Sequence, residues 1–255
     1  MDDLWLVGIG TGSPSHITLA GVNALRDAAL ILVPRKGAEK DDLAEIRHRI
    51  IAETGSKARI VHFEYPVRDA ELPYQERVKH WHDEIARRWQ AALADVDVTG
   101  PVALLVWGDP SLYDSTLRIA ERLDPAPRVR VIPGITAIQA LTAAHAIPLN
   151  SVNGAVTITT GLRLRTDGLP TNAETIVVML DGLCTFRDLA PEGWYIWWGA
   201  YLGSDQQILA KGALPEVADR IVRLRADARR RHGWIMDSYI LKRVEGSLRN
   251  PAQDH

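Results

Sequence analysis

The chain has 255 residues, enough for one large domain or two of modest size. Its composition is that of an ordinary globular protein, and a formal net charge of −2 offers no basic field to gather nucleic acid or a membrane surface, so an acidic ligand has to be met by local Arg and Lys side chains. One cysteine, Cys184 in an apolar stretch, excludes an internal disulfide and a Cys-rich metal site, and no apolar run reaches the roughly 18 residues of a membrane-spanning helix.

The start, Met-Asp-Asp, lacks a basic leader and runs into the apolar stretch Leu4 to Ile9, which reads as a buried strand ending in glycines. A cytoplasmic setting is expected. Thr18 can cap a helix through Leu19, Val22, Leu25 and Ala29. Ala29 to Val33 predicts a second strand, and Asp41 to Glu53 a helix with Leu43, Ile46 and Ile50 at helical spacing. Arg59 to Phe63 predicts a third strand. The clearest helix is Tyr74 to Ala94, where Tyr74, Val78, Trp81, Ile85, Trp89 and Ala92 mark one apolar face. Its His80 and His82 are two apart and so point in different directions, which reads as solvent-facing histidines rather than a metal pair. No metal is expected.

Gly100-Pro101 breaks the chain before Val102 to Trp107, a strand apolar without alternation, as in a parallel sheet covered on both faces. Asp114 can cap a helix through Leu117 and Leu123, and Arg128 to Ile132 is another strand. This alternation of strand and helix predicts a mostly parallel α/β sheet. The second half changes character. Ala155 to Thr159, Thr175 to Leu180, Trp194 to Trp198, Gln207 to Lys211 and Trp234 to Arg243 read as strands, with an amphipathic helix over Leu214 to Arg231. A mixed, partly antiparallel sheet is expected there. The change falls near Pro133-Gly134, which divides the chain into a first α/β domain, 1–134, and a second, 135–255. The tail after Glu245 reads as disordered.

Three segments carry chemistry. Gly8-Ile9-Gly10-Thr11-Gly12-Ser13-Pro14 follows a strand and precedes a helix, where glycines let backbone approach a ligand. It fits a dinucleotide fingerprint poorly. The third glycine of that pattern falls on Ser13, no acidic residue closes the second strand, and Pro14 lacks the N–H that phosphate cradling wants. A nicotinamide oxidoreductase is thereby disfavoured. Val106-Trp107-Gly108-Asp109-Pro110-Ser111-Leu112-Tyr113 follows a buried strand, at the edge where open α/β sheets bind ligands. There Asp109 can accept bonds from ribose hydroxyls or an amino group. Val131-Ile132-Pro133-Gly134-Ile135-Thr136-Ala137 reads as strand, turn and helix start. Each alone is also readable as a plain tight turn.

Together the three resemble the tetrapyrrole (corrin/porphyrin) methylase family, with its glycine-rich first loop, its G-D-P-x-x-Y loop and its V-I-P-G-x-[ST]-[AS] segment. The likeness continues through Thr160-Gly161, Val177 to Gly182 and Gly203 to Gln207. It departs at Gly199-Ala200-Tyr201-Leu202-Gly203, where many relatives have a shorter turn. The resemblance implies two α/β domains with S-adenosylmethionine in the cleft between them as methyl donor. It further implies cofactor contacts from Pro14, Gly108, Asp109, Leu112, Tyr113, Thr136, Ala137, Met179 and Leu180, a small-molecule tetrapyrrole substrate and a homodimer. Pro34 to Leu43, Gly108 to Thr116 and Met179 to Gly182 resemble the branch that methylates precorrin-5 at carbon 1 and releases acetate.

Methyl transfer is an in-line displacement and asks mainly for positioning. The substrate's carboxylate arms need cations; Arg35, Lys36 and Lys40 are the candidates, with Arg68 beside them. Deacetylation needs a base or an oxyanion donor, and Asp41, Tyr113, Asp181 and Asp237 offer the chemistry. Asp237 reads equally as a structural hydrogen bonder, Arg229 to Arg231 as helix-end charge, and Trp194, Trp197 and Trp198 as core. Other activities within the family (another precorrin, uroporphyrinogen III, or a diphthine substrate) and a non-catalytic tetrapyrrole-binding module stand as alternatives.

Overall fold

The computed structural model describes residues 1–35, 41–67, 71, 73–97, 99–170, 173–189 and 192–244, with Asp41, Asp42 and Tyr74 described in backbone only. The chain divides into two units, Met1–Thr136 and Ala137–His255.

Unit 1 is built on five strands: β1 (Asp3–Gly8), β2 (Leu30–Arg35), β3 (Arg59–Glu64), β4 (Val102–Val106) and β5 (Arg128–Ile132). They lie in the order β3-β2-β4-β1-β5, and every pairing is parallel. Side chains alternate between the two faces, so each face buries its own set. Leu4, Leu6, Leu30, Leu32, Val102 and Leu104 face one core with Ile85 and Trp89 of helix α3 (Tyr74–Leu93). Val7, Ile31, Val33, Ala103 and Leu105 face the other, with Leu25 of α1 (Leu19–Asp27) and Ile50 of α2 (Asp41–Thr54). That double burial is why β4 is apolar at all five positions. Thr18 caps α1 as expected, its Oγ1 accepting from the Gly21 N–H at 3.0 Å.

Helix α4 is shorter than the sequence suggests, Thr116–Ala120 rather than a run through Leu123. Beyond Ala120 the hydrogen bonds tighten to a three-residue step, Arg122 N–H to Ile119 O at 3.0 Å and Leu123 N–H to Ala120 O at 3.2 Å, so the chain turns instead of continuing as α-helix. Leu123 is nonetheless buried. The expectation for His82 fails: it is 3% exposed and tilted against Trp81, while His80 is exposed. The broad apolar face of α3 extends one position further round than periodicity alone shows.

Unit 2 has the order β6-β7-β10-β8-β9: β6 (Val156–Thr160), β7 (Thr175–Met179), β8 (Trp194–Ala200), β9 (Ile208–Ala213) and β10 (Asp237–Arg243). Only β6 and β7 pair in parallel, so the sheet is mixed, as expected. One face packs on α7 (Leu214–His232) through Trp194, Ile196, Trp198, Tyr239, Leu214 and Ile221. On the other, a side chain at Gly199 would meet Leu141 of α5 (Ala137–His145). Trp194 and Trp198 are therefore core residues, as is Cys184. The last strand begins at Asp237 rather than Trp234, whose carbonyl instead accepts from the Tyr201 hydroxyl. The short α6 (Gly161–Asp167), capped by Thr160, buries only Gly161 and Leu164 and leaves no periodic signal. Arg229, Arg230 and Arg231 lie in the last turn of α7, near its negative pole. No helix among the described residues is long and apolar enough to cross a membrane.

Candidate functional site

The order of the first sheet marks an edge of the kind at which open α/β sheets hold ligands. β1 and β4 are neighbours, but the chain leaves β1 toward β2 on one side and leaves β4 toward β5 on the other. Their carboxyl ends therefore open into a crevice at a topological switch point. The first two motif segments leave β1 and β4 there, and the third leaves β5 beside them.

The three turns touch through glycine. Gly10 and Gly108 form an isolated bridge, with Gly108 N–H donating to Gly10 O at 2.8 Å and Gly10 N–H to Gly108 O at 3.3 Å. A Cβ at Gly8 would stand 2.6 Å from Gly134 N and 2.8 Å from Gly108 O. A Cβ at Gly134 would overlap the Gly108 carbonyl and stand 2.8 Å from Gly8 Cα. All three neighbours are backbone and cannot swing aside, so this junction admits no side chain. That Gly8 and Gly134 meet is not something spacing singles out; only their apposition across about 125 residues of chain reveals it.

Asp109 braces the junction. One carboxylate oxygen accepts from Ser111 N–H at 2.8 Å and Ser111 Oγ–H at 2.5 Å; the other accepts from Gly134 N–H at 2.9 Å. Burial works to raise its pKa, but the bonds from Ser111 and Gly134 outweigh it and hold the carboxyl below its ordinary value. The oxygens expected to meet a ribose or an amino group thus already tie the second turn to the third. Asp114 accepts from Thr116 N–H at 2.6 Å and from the Thr116 hydroxyl, securing the start of α4; burial raises its pKa.

The remaining unit 1 candidates surround these turns. Pro14 opens a 3-10 turn capped by Ser13, and Thr11 Oγ1 lies 2.9 Å from His16 Nδ1, closing the first loop on itself. Leu112 N–H donates to Asp109 O at 3.2 Å. Tyr113 follows in left-handed backbone, φ +51°, with 42% of its surface exposed. A bulky residue at positive φ costs energy and marks a position set by something other than local preference. Thr136 ends unit 1, and Ala137 begins α5 of unit 2. Arg35 ends β2, exposed, with His62 of β3 near enough to feel its charge. His62 and His48 sit Nε2 to Nε2 at 3.1 Å. Lys36, Lys40, Arg68 and the side chain of Asp41 lie outside the described residues, as does the tail after Glu245.

In unit 2, Met179 ends β7 and Leu180 follows at φ +54°, 66% exposed. Asp181, only 6% exposed, anchors this turn. It accepts from Tyr239 Oη–H at 2.8 Å, Thr185 N–H at 2.6 Å, Thr185 Oγ1–H at 2.9 Å and Leu183 N–H at 3.2 Å. Asp237 accepts from Trp198 Nε1–H at 3.0 Å and Arg225 Nε–H at 2.9 Å, the structural role its sequence setting allowed. No group of three or more His, Cys, Asp or Glu among the described residues could hold a metal ion.

Comparison with known proteins places these features in context. Residues 3–218 match the model of the Tetrapyrrole (Corrin/Porphyrin) Methylases. The chain is 45% identical to a precorrin-6A synthase [deacetylating] of a Sinorhizobium species, over 95% of this chain and 96% of that protein. Its structure is similar to the crystal structure of a cobalamin synthesis related protein (CobF) from Corynebacterium diphtheriae, with a TM-score of 0.82 and 39% identity over 96% of this chain and 100% of the other. The fold is shared at TM-score 0.60 and 18% identity with a uroporphyrin-III C-methyltransferase from Thermus thermophilus complexed with S-adenosyl homocysteine, over 94% and 92% of the two chains.

Proposed function

The chain belongs to the tetrapyrrole (corrin/porphyrin) methylase family, and from that premise we propose that it moves a methyl group from S-adenosylmethionine to carbon 1 of precorrin-5 and releases acetate, giving precorrin-6A. The observation that carries this reading is the 45% identity to a deacetylating precorrin-6A synthase along nearly the whole of both chains. The junction of Gly8, Gly108 and Gly134 supports it, because it places three backbone turns at a switch point, as a donor held by positioning requires.

S-adenosylmethionine, when bound, supplies an electrophilic methyl on a sulfonium with a good leaving group. What the protein must supply is placement. We assign Pro14, Gly108, Asp109, Leu112, Tyr113 and Thr136 in unit 1 to the donor, and Ala137, Met179 and Leu180 in unit 2. Asp109 acts by fixing Gly134 and Ser111 rather than by a bond of its own. The exposed, left-handed Tyr113 and Leu180 suit apolar surfaces presented to a ligand. Arg35, Lys36 and Lys40 are assigned to substrate carboxylates. Loss of acetate requires water to add to the acetyl carbonyl, the carbon–carbon bond to break, and the ring carbon to take a proton. Of the candidates for the base, Asp181 is committed to four donors, which supports a turn-holding role for it and leaves Tyr113 and Asp41. We assign it a homodimeric state by family likeness, and a reducing, cytoplasmic setting by its single, buried cysteine.

The test is turnover of the purified protein with S-adenosylmethionine and precorrin-5, following S-adenosylhomocysteine and acetate together. Equal amounts of both are expected. Methylation without acetate would move the activity to another member of the family, and failure to bind S-adenosylhomocysteine at millimolar concentration would leave a non-catalytic module.

A further inference from the structure

Arg47 projects from the second turn of α2 toward the carboxyl edge of the first sheet. Its guanidinium carbon lies 5.0 Å from the centroid of the Trp107 ring, on the residue just before Gly108. The same indole passes 3.8 Å from where a Cβ of Gly12 would stand, so Trp107 sits between Arg47 and the first glycine turn. Tyr65, beyond β3, and Asp114, beyond β4, are close enough to feel the charge of Arg47. The cation therefore lies against the loop that follows β4, with Tyr65 of the loop after β3 within reach of its charge.

Its donors are underused. A guanidinium carries five N–H groups. Nη1 donates to Leu43 O at 3.1 Å, and Nε is wholly shielded with no hydrogen-bond partner. Among the described residues no carboxylate forms an ion pair with it. Burial lowers its pKa to about 10, which still leaves it a cation at neutral pH. A shielded cation that among the described residues meets a carboxylate, Asp114, only through space and in no ion pair is costly to keep. Offset against that cost is a planar fork shaped for a carboxylate, at the edge where the substrate belongs.

We propose that Arg47 is a substrate anchor, gripping one carboxylate arm of the tetrapyrrole at the carboxyl edge of unit 1. This rests on the tetrapyrrole methyltransferase reading above. The test measures KM for precorrin-5, Kd for S-adenosylhomocysteine and thermal stability in wild type, Arg47→Gln, Arg47→Lys and Trp107→Phe. We expect Arg47→Gln to raise KM about tenfold to a hundredfold, the range for loss of a hydrogen bond to a charged group, with kcat and Kd little changed. Arg47→Lys, which keeps charge without the fork, should recover part of the loss, and Trp107→Phe should leave KM near wild type. The inference is overturned if KM in Arg47→Gln is unchanged, or if Trp107→Phe reproduces its effect with a parallel loss of S-adenosylhomocysteine affinity, which would make Arg47 a support for the turn. Should Arg47→Gln fail to fold, KM in Arg47→Lys decides: a wild-type value overturns the proposal. If wild type itself releases no acetate, the functional reading fails instead.

Discussion

A single methyl group added at Gly134 or at Gly108 separates two kinds of glycine requirement. At Gly134 the added Cβ meets the Gly108 carbonyl and Gly8 Cα, all backbone, so the turns must part. At Gly108 the nearest atom is Thr136 Cα at 3.7 Å, an ordinary contact, but φ is +64°. Gly108→Ala should therefore cost only the left-handed backbone penalty, about 1–2 kcal/mol. Gly134→Ala should cost about 1–3 kcal/mol from overpacking and displace the turns as well. A displacement of about 1 Å at a positioning site is worth up to about a hundredfold. The expected outcome is that Gly134→Ala lowers S-adenosylhomocysteine affinity far more than Gly108→Ala, by calorimetry, at similar stability. Equal affinities would sever the junction from binding. The sequence placed glycines at all three turns, because glycine beside a strand end is a local signal. It gave no sign that Gly8 and Gly134 face each other, nor that Asp109 spends its oxygens on Ser111 and Gly134, because both are facts of tertiary register.

At the scale of elements, β7 and β10 show how a turn in unit 2 is held. They pair antiparallel with Tyr239 opposite Val178, which brings the Tyr239 hydroxyl to Asp181 just beyond the strand end. Burial and the neighbouring Asp181 carboxylate push the Tyr239 pKa far upward, so the phenol remains a proton donor at any working pH. Tyr239→Phe keeps the ring against Phe186 but removes one of four donors to a buried carboxylate. It should cost about 1–3 kcal/mol of stability by urea unfolding, while the other three donors keep the turn in place and hold S-adenosylhomocysteine affinity near wild type. A loss of affinity as large as the loss of stability would show that Asp181 sets the Met179–Leu180 turn through Tyr239 alone. These strands were readable in advance because β-branched and aromatic residues cluster in them. Helix α6 and the end of α4 were not. One buries too little to be periodic, and the other tightens after Ala120 into turns that keep Leu123 buried, so its apolar spacing runs on past the helix.

At the scale of the whole molecule, a net charge of −2 has to coexist with a substrate bearing several carboxylates. The general field repels such a ligand weakly, so its affinity must come from a few cations at the site, Arg35 and Arg47 among those described. The methyl donor is assigned instead to backbone turns and apolar side chains. The two ligands should then respond differently to salt. Screening length falls from about 10 Å at 0.1 M to about 3 Å at 1 M ionic strength. Raising sodium chloride through that range should increase KM for precorrin-5 several-fold and leave KM for S-adenosylmethionine nearly flat. Arg47→Gln should show a shallower salt slope for precorrin-5 than wild type, because one screened contact has already gone. The shielding of Arg47 Nε limits how far salt can reach that pair, so the exposed Arg35 should account for the larger part of the slope. Steady-state kinetics in a salt series with wild type, Arg35→Gln and Arg47→Gln separates the two. A slope unchanged in both variants would mean that neither arginine meets the substrate, and the carboxylate arms would have to be held by other cations.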